Sequence, residues 1–272
     1  MNTKLMTTCV MAAVLAFGSP ASGDWCETNN DGGPGGLDYM AYWVAAWNGS
    51  LPAPATTWYT AAELAPTFGT DAGWTGNVVN ITDADAYAYA AANKVESFTD
   101  VTATVAVSTS DIDEEFGVLV RASDFSHGDP ITAVDGYGAT FSVDGATQVG
   151  DPMKFSLYKI VGGVVVAQDV TTPTVPADFD DYIVSIELVA VGGEIDARLF
   201  MDTGDSVPLA MAHLTDATPL PGGYTGVVNL DAQADGISAF YDTLSSQVIP
   251  EPATLGLLGL GSLGLLRRRR KD

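Results

Sequence analysis

Cysteine and histidine are scarce in this 272-residue sequence, which excludes several kinds of site. Of the two cysteines, Cys9 lies in an N-terminal segment that we expect to be removed, so the chain has no internal disulfide framework. Cys26 then either forms a cross-link to a partner or remains a thiol without a function near the N-terminus. His127 and His213 are 86 residues apart, and neither has a metal-ligand pattern beside it. Zinc, phosphate-loop and dinucleotide motifs are also missing from the sequence.

Basic residues are few in the part of the chain that we expect to be exported. Residues 24–249 contain 5 basic and 32 acidic side chains, a net charge of −27. This balance repels nucleic acid and anionic lipid, and so argues against both as partners. The excess of acidic side chains either keeps the protein soluble or binds divalent cations. The acidic stretches Asp111–Glu115 and Asp178–Asp181, in predicted loops, offer the oxygen ligands that calcium takes.

Long apolar runs are missing as well, and the first of two short ones lies near the N-terminus. Val10–Phe17 follows a positively charged start and precedes small residues, which is typical of a secretory signal peptide. We expect residues 1–23 to be this signal, with cleavage before Asp24. A buried N-terminal helix is the alternative, but Pro20 and Gly23 would end such a helix early.

The second short apolar run, residues 253–266, lies near the C-terminus. Fourteen helical residues span about 21 Å, against roughly 30 Å of bilayer hydrocarbon, so length alone favours a buried or interfacial helix. The basic block that follows changes this interpretation, because it acts as a stop-transfer signal and its side chains can snorkel. The block comprises Arg267, Arg268, Arg269 and Arg270. We therefore predict a short C-terminal transmembrane helix, whose marginal length suits a temporary anchor.

Pro250, Glu251 and Pro252 precede this run, and the prolines hold an extended strip that a protease groove can accept. The order of Pro-Glu-Pro, apolar segment and arginine block in residues 247–272 closely resembles the PEP-CTERM sorting signal. The resemblance implies export by a Gram-negative-type bacterium that makes exopolysaccharide, and processing by an exosortase, a membrane-embedded transpeptidase-like enzyme. It implies a transient inner-membrane anchor, then the cell surface or extracellular matrix. An ordinary single-pass anchor is the alternative.

From Phe98 onward the sequence contains short, evenly spaced apolar stretches separated by Gly, Pro and Asp. This pattern is typical of an antiparallel sandwich or jelly roll, and it predicts an all-β fold. We predict ten strands, at Val101–Val107, Phe116–Arg121, Tyr137–Val143, Phe155–Ile160, Val164–Gln168, Tyr182–Val191, Glu194–Phe200, Pro208–Leu214, Tyr224–Leu230 and Ile237–Leu244.

Residues 24–67 form an aromatic-rich N-terminal segment that precedes these strands. The segment contains four tryptophans, Trp25, Trp43, Trp47 and Trp58. Met40, Trp43, Val44 and Trp47 recur at helical spacing, which predicts one short amphipathic helix. The aromatic side chains either pack against an end of the sandwich or form an exposed platform for sugars.

Two Gly-Gly pairs, Gly162–Gly163 and Gly192–Gly193, predict tight hairpins, because a two-residue turn of this kind needs positive φ angles. The second turn fixes a register in which Glu187 faces Arg198, an ion pair across two strands on a wet face. The opposite face of this hairpin is apolar and should belong to the core. Its members include Val184, Ile186, Leu188, Ala190, Ile195, Ala197 and Leu199.

Five stretches of the β-rich region carry a family pattern in order: Gly117–Asp124, Gly136–Phe141, Tyr182–Leu199, Gly222–Val227 and Tyr241–Leu244. Together they resemble the concanavalin A-like, laminin G-like jelly roll, over residues 68–246. The last stretch departs from the usual Phe-Asp-Asn, since this chain has Tyr241 and Thr243 there. The family includes sugar-binding modules, adhesive domains and glycoside hydrolases, so the implied fold leaves function open.

Glu194-Ile-Asp-Ala-Arg-Leu resembles the start of the catalytic strand of laminarinase-type hydrolases. Such retaining enzymes need two carboxyl groups about 5 Å apart. Arg198 and Leu199 stand where the final carboxylate is expected, and Glu194 lies against a turn. We therefore expect no complete catalytic motif and no catalysis by this strand. The alternative is a glycan-active hydrolase or lyase of this fold with a different site.

These observations predict a non-catalytic exported module that binds exopolysaccharide or another glycan, or that is structural. Asp71 and Asp242 match family positions near the first and last strands, where they could together hold a structural calcium ion. We expect no other cofactor.

Overall fold

The computed structural model describes residues 25–27, 43–48, 55–60, 77–83, 88–109, 115–126, 130–143, 149–176, 183–201, 206–229 and 237–249. These residues contain fifteen β-strands and a short 3-10 turn at Ile131–Ala133. The strands are β1 (Trp25–Glu27), β2 (Trp43–Asn48), β3 (Ala55–Thr60), β4 (Asn77–Asp83), β5 (Ala88–Phe98), β6 (Val101–Thr109), β7 (Phe116–Ala122), β8 (Gly136–Ser142), β9 (Lys154–Val161), β10 (Val164–Thr171), β11 (Ile183–Val191), β12 (Glu194–Phe200), β13 (Ala210–Thr215), β14 (Gly223–Asn229) and β15 (Ile237–Val248).

The strands form two antiparallel sheets that pack face to face. In the order of hydrogen-bonded neighbours, sheet A is β13-β12-β11-β6-β15-β4-β3, and β1 pairs with β15 as well. Sheet B has the order β10-β9-β8-β7-β14-β5-β2. The chain crosses between the sheets repeatedly. Its last two strands are interior strands, β14 in sheet B and β15 in sheet A. This architecture is the antiparallel jelly-roll sandwich that the sequence predicted.

The ten predicted strands correspond to β6–β15, whereas the sequence pattern predicts none of the strands β1–β5. The helix expected from the spacing of Met40 to Trp47 is wrong, because Trp43–Asn48 is the edge strand β2 and pairs with β5. Trp43, Ala45 and Trp47 also alternate with a period of two, and pairing with β5 selects that period. The tryptophan side chains themselves lie outside the described residues, so the choice between packing and platform stays open.

The main core lies between the sheets, where alternate residues of the central strands point inward. From sheet A it takes Val101, Ala103, Val105, Val107, Val184, Ile186, Leu188, Ala190, Ile195, Ala197 and Leu199, and from sheet B it takes Phe116, Val118, Val120, Tyr137, Ala139, Phe141, Phe155, Leu157 and Val227. Phe116 and Phe141 meet edge to face, with ring centroids 6.1 Å apart. Because side chains alternate between the two faces along each strand, the face of each sheet that points away from this core carries polar residues or is covered by other segments of the chain.

The register predicted for the second hairpin is confirmed along the paired strands. Val191 faces Glu194, and Glu187 faces Arg198. Arg198 Nη1 lies 2.6 Å from Glu187 Oε1, on the face that points away from the core. The first hairpin has the expected turn, since Gly162 and Gly163 have φ angles of +59° and +70°. In the second turn only Gly192 has the expected positive φ, at +54°.

The outer face of sheet B is partly covered by the segment that joins β7 to β8. Phe125, Ile131 and Val134 from this segment form a second buried cluster with side chains of sheet B. The sheet contributes Ala90, Ala92, Leu119, Tyr158, Ile160 and Val228. The segment is fixed at its end by Gly163, whose backbone N–H donates to the Val134 carbonyl at 2.8 Å.

One end of the sandwich is held by a buried guanidinium, and we name it the Arg121 end. Arg121 has φ +50° and lies where two residues of β7 oppose one of β14, a bulge that redirects its side chain. Its Nε donates to the Thr99 carbonyl at 2.6 Å, and its Nη1 donates to the carbonyls of Gly192 at 2.8 Å and Leu220 at 3.3 Å. The guanidinium also lies 5.7 Å from the centre of the Tyr137 ring.

Asp100 completes this arrangement with a carboxylate. Its Oδ1 lies 3.3 Å from Arg121 Nη2 and accepts from the Gly192 backbone N–H at 2.9 Å. One charged pair therefore joins β7 of sheet B to the β5–β6 and β11–β12 turns and to the segment before β14. The Arg121 side chain is only 1% exposed. Its hydrogen bonds to these acceptors therefore offset the free-energy cost of burying its charge.

Replacing Arg121 by Met should lower the free energy of unfolding by about 3–5 kcal/mol, because buried acceptors lose their donor. Arg198→Met is the matched control, since the Arg198 side chain is 40% exposed, and it should cost less than about 1 kcal/mol. Urea denaturation of residues 24–249 measures both values. Equal decreases in the free energy of unfolding of the two variants would contradict a stabilising role of the Arg121 end.

Candidate functional site

The sorting motif follows the last strand of the sandwich directly. Val248, the final residue of β15, pairs with Val101 of β6, and the Ile249 N–H donates to the Asp100 carbonyl at 3.1 Å. The predicted motif residues Pro250, Glu251 and Pro252, and the arginines 267–270, lie outside the described residues, as does the predicted signal peptide. Within the described part of the chain, no helix is long and apolar enough to cross a membrane.

The two residues predicted to bind calcium are not brought together by the described structure. Asp71 lies outside the described residues. Asp242 lies within β15, where its backbone pairs with Ala106 of β6. Among the described residues, no group of three or more histidine, cysteine or acidic side chains could hold a metal ion. A calcium site at these positions therefore stays a prediction.

Glu194 and Asp196 lie on the outer face of sheet A, where they form a wet-face cluster with His213 and Thr215 of the edge strand β13. His213 Nδ1 lies 2.9 Å from Asp196 Oδ1, and its Nε2 lies 3.3 Å from Glu194 Oε2. Thr215 donates its hydroxyl to Glu194 Oε2 at 3.1 Å. Asp169 of β10 joins the two sheets here, since its Oδ2 accepts from the His213 backbone N–H at 2.9 Å.

The imidazole of His213 is exposed and surrounded by acceptors. Its pKa is raised, chiefly by the hydrogen bond to Asp196; burial opposes this increase, and the negative charges of Asp196, Glu194 and Asp169 add to it. His213 lies on the edge strand β13, and sequence spacing does not reveal its acidic neighbours. They come from β12, which pairs with β13 in sheet A, and from β10, an edge strand of sheet B that lies against β13.

The two wet-face carboxylates of β12 lie on an open surface. Glu194 and Asp196 are two residues apart on one strand, which places their Cα atoms about 6–7 Å apart. The next residue on this face is Arg198, and it pairs with Glu187. The side chains of Glu194 and Asp196 are 59% and 40% exposed, so they face water rather than a closed cleft.

A second polar cluster, which sequence reasoning missed, centres on Glu115 at the start of β7. Lys154 forms an ion pair with Glu115 Oε1, and the Tyr158 hydroxyl donates to Oε2 at 2.5 Å. Thr140 donates to the same oxygen at 3.4 Å. Burial, followed by the charge and hydrogen bond of Glu115, raises the pKa of Tyr158. The alternation of β8 and β9 puts Thr140, Lys154 and Tyr158 on one face, but sequence does not place Glu115 beside them.

A third polar group links β8 and β9 to the segment before β14, through Asp216. Its Oδ2 lies 2.6 Å from both Lys159 Nζ and the Tyr137 hydroxyl. Burial opposes the charge of Asp216, but the hydrogen bonds from Lys159 and Tyr137 outweigh it and lower the carboxyl pKa. Burial and the Asp216 hydrogen bond raise the pKa of Tyr137 to about 12, so its hydroxyl remains a donor. Asp216, Lys159 and Tyr137 bind one another, and we therefore interpret this group as structural.

Comparison with known proteins identifies the C-terminal segment. The PEP-CTERM protein-sorting motif matches residues 248–271. This match indicates an exported protein that is anchored in the membrane before an exosortase processes it. Among curated proteins, no sequence is significantly similar to this chain.

Several solved structures are similar in backbone to the chain. A protein of unknown function with a galectin-like fold from Bacillus subtilis is 12% identical, with a TM-score of 0.49 over 82% of this chain and 94% of that one. The VIP36 exoplasmic/lumenal domain, bound to Ca²⁺ and Man3GlcNAc, is 12% identical, with a TM-score of 0.47 over 78% and 87%. The carbohydrate-binding module CBM66 from Bacillus subtilis is 18% identical, with a TM-score of 0.41 over 75% and 94%. At these values, function has to be argued from the residues of this chain.

His213 should titrate above the ordinary histidine value of about 6.5, and Asp196→Asn should lower its pKa. Because the folded pKa is raised, protonated His213 stabilises the fold fully below about pH 6.5, and this contribution disappears as pH rises through the folded pKa. NMR titration of the imidazole measures both values. Glu187→Gln is the control and should leave the pKa unchanged, because Glu187 pairs with Arg198. A His213 pKa at or below 6.5 would contradict the cluster.

Proposed function

We propose that this protein is a non-catalytic jelly-roll module that an exosortase delivers to the cell surface or the exopolysaccharide matrix. There it binds exopolysaccharide or another glycan, or serves a structural role. The observation that carries the proposal is the sorting motif at residues 248–271, which begins at the end of the central strand β15. The folded body is thereby the part of the chain that remains after the motif has been processed.

The side chains around Glu194 support a non-catalytic role. A retaining glycosidase needs a nucleophile and an acid about 5 Å apart across the scissile bond. On this strand the third outward position is Arg198, held by Glu187, and Asp196 is held by His213. No described carboxylate faces Glu194 from a neighbouring strand, where β13 offers Thr215 instead.

Glycan binding is supported by the exposed polar groups on the same face. Glu194, Asp196, His213 and Thr215 present carboxylate, imidazole and hydroxyl groups on two rigid strands. Such groups can exchange hydrogen bonds with sugar hydroxyls without a deep pocket. The net charge of −27 favours a neutral glycan or one bridged by calcium over an anionic glycan bound directly.

The second candidate is a glycan-active hydrolase or lyase of the same fold. It would need clustered carboxylates and an aromatic platform in one cleft. The tryptophans of the N-terminal segment would have to supply that platform, and their side chains lie outside the described residues. Activity assays therefore separate the two candidates better than inspection of the fold does.

Processing should leave a mature protein that begins near Asp24 and ends between Pro250 and Thr254. The reason is that the signal peptide ends at residue 23 and the sorting motif follows the last strand. Intact mass spectrometry of protein extracted from the cell surface measures both ends. A stable surface product that still carries Arg267–Arg270 would argue against exosortase processing and favour an ordinary membrane anchor.

Residues 24–249 should bind at least one glycan on an array and release no reducing sugar from laminarin or a related β-glucan. Glu194→Gln and Asp196→Asn should fold normally and change no hydrolytic activity, because neither carboxylate has a catalytic partner. Hydrolysis that either substitution abolishes would overturn the non-catalytic proposal.

The array is repeated in EDTA and in millimolar calcium, together with a melting curve. A bound ion would raise the melting temperature by mass action, and an identical melting temperature in both conditions would remove calcium from the proposal.

A further inference from the structure

The sorting motif and the folded body overlap in sequence. The match to the motif begins at Val248, and Val248 is the last residue of β15. Its pairing with Val101 and the hydrogen bond from Ile249 to the Asp100 carbonyl keep the first two matched residues on the sheet. Pro250 follows immediately, so no linker separates the sandwich from the Pro-Glu-Pro strip.

The other side of β15 is also occupied near its end. β4 pairs with β15 only as far as Tyr241, and β1 then takes over, with Trp25 opposite Ser246 and Glu27 opposite Leu244. The end of β15 is therefore held between β6 and β1. Because β1 begins at residue 25, the two predicted processing junctions leave the sandwich on neighbouring strands at the Arg121 end.

A peptide that binds in a protein groove as an added extended strand uses its backbone N–H and C=O groups for hydrogen bonds to the groove. Backbone N–H and C=O groups that are already paired within a sheet cannot pair with such a groove at the same time. The described pairing of the sheet continues up to Ile249, the residue directly before the Pro-Glu-Pro sequence. Contact upstream of Pro250 requires Ile249 and Val248 to leave β6.

We propose that processing of the motif is limited by unpairing of Val248 and Ile249, the end of β15, from Val101 and Asp100. The proposal rests on exosortase processing as proposed above, and it concerns the step before the enzyme acts on the chain. Each net hydrogen bond that must open reduces the open population roughly two- to twelve-fold. Folding of the body and release of the tail are coupled in this way.

The test inserts a Gly-Ser spacer between Gln247 and Val248 of the full-length chain, so that residues 248–271 stay contiguous. A six-residue spacer allows the motif to lie up to about 20 Å further from the sheet, and a two-residue spacer up to about 7 Å further. The same six residues added after Asp272 form the control, because they lengthen the chain without changing the distance from Val101 to Val248. Pulse-chase labelling in the native host follows loss of the tail.

The six-residue spacer should speed tail removal roughly two- to twelve-fold, the two-residue spacer should have a smaller effect, and the control should match the wild type. Equal rates in all variants, or slower removal with the spacer, would overturn the proposal and show that the enzyme accepts the folded end as it is. Tails that stay uncut in every variant would instead refute exosortase processing itself, and with it the coupling.

Hydrogen exchange on the detergent-solubilised precursor gives a second readout. The Ile249 amide should exchange slowly in the wild type and quickly in the six-residue spacer variant, since only the former keeps the bond to Asp100. Fast exchange at Ile249 in the wild type would overturn the proposal whatever the processing rates. Unchanged melting temperatures of the spacer variants confirm that the rest of the sandwich remains folded.

Discussion

The contact on which this sandwich most depends is the buried guanidinium of Arg121. Without it, the turns β5–β6 and β11–β12 and the segment before β14 would meet at one end of the molecule with unpaired carbonyls. The bulge in β7 and the positive φ of Arg121 cost conformational energy. That cost is tolerated because one side chain satisfies acceptors from both sheets. The free end of β15 is held at the same place, through the backbone of Asp100.

Scarce positive charge is used for joining elements rather than for binding anions. Arg121, Lys154 and Lys159 each pair with an acidic residue far away in sequence that lies outside the strands, so these pairs connect strands of sheet B to loops. Arg198 pairs with Glu187 of the adjacent strand β11. The remaining acidic excess is therefore left for solvent, for cations or for hydroxyl-rich ligands. The wet-face cluster is consistent with this division, since its single imidazole contacts the two carboxylates of Asp196 and Glu194.

Sequence patterns predicted the β-strands after Phe98 and the register of the second hairpin, because both depend on local alternation and on a turn of fixed length. They failed for β2, where Trp43 and Trp47 satisfy helical and strand periods equally, and pairing with β5 decides. The wet-face and Glu115 clusters were also not predictable. Most of their members lie on strands that are consecutive in sequence but joined by long segments, so no short turn fixes the register between those strands as it does in the second hairpin.

The position of β15 has a consequence for the time at which the molecule can fold. β15 lies between β6 and β4 in sheet A, and β14 lies between β7 and β5 in sheet B. While residues 223–248 are still being translocated, both sheets have a gap at the centre and present bare edges to solvent. Neither half of the sandwich can close around such gaps, so completion waits for the final tenth of the exported chain. Secretion from the N-terminus to the C-terminus thus delivers β14 and β15 last, and the sandwich can fold cooperatively only once these two strands are present.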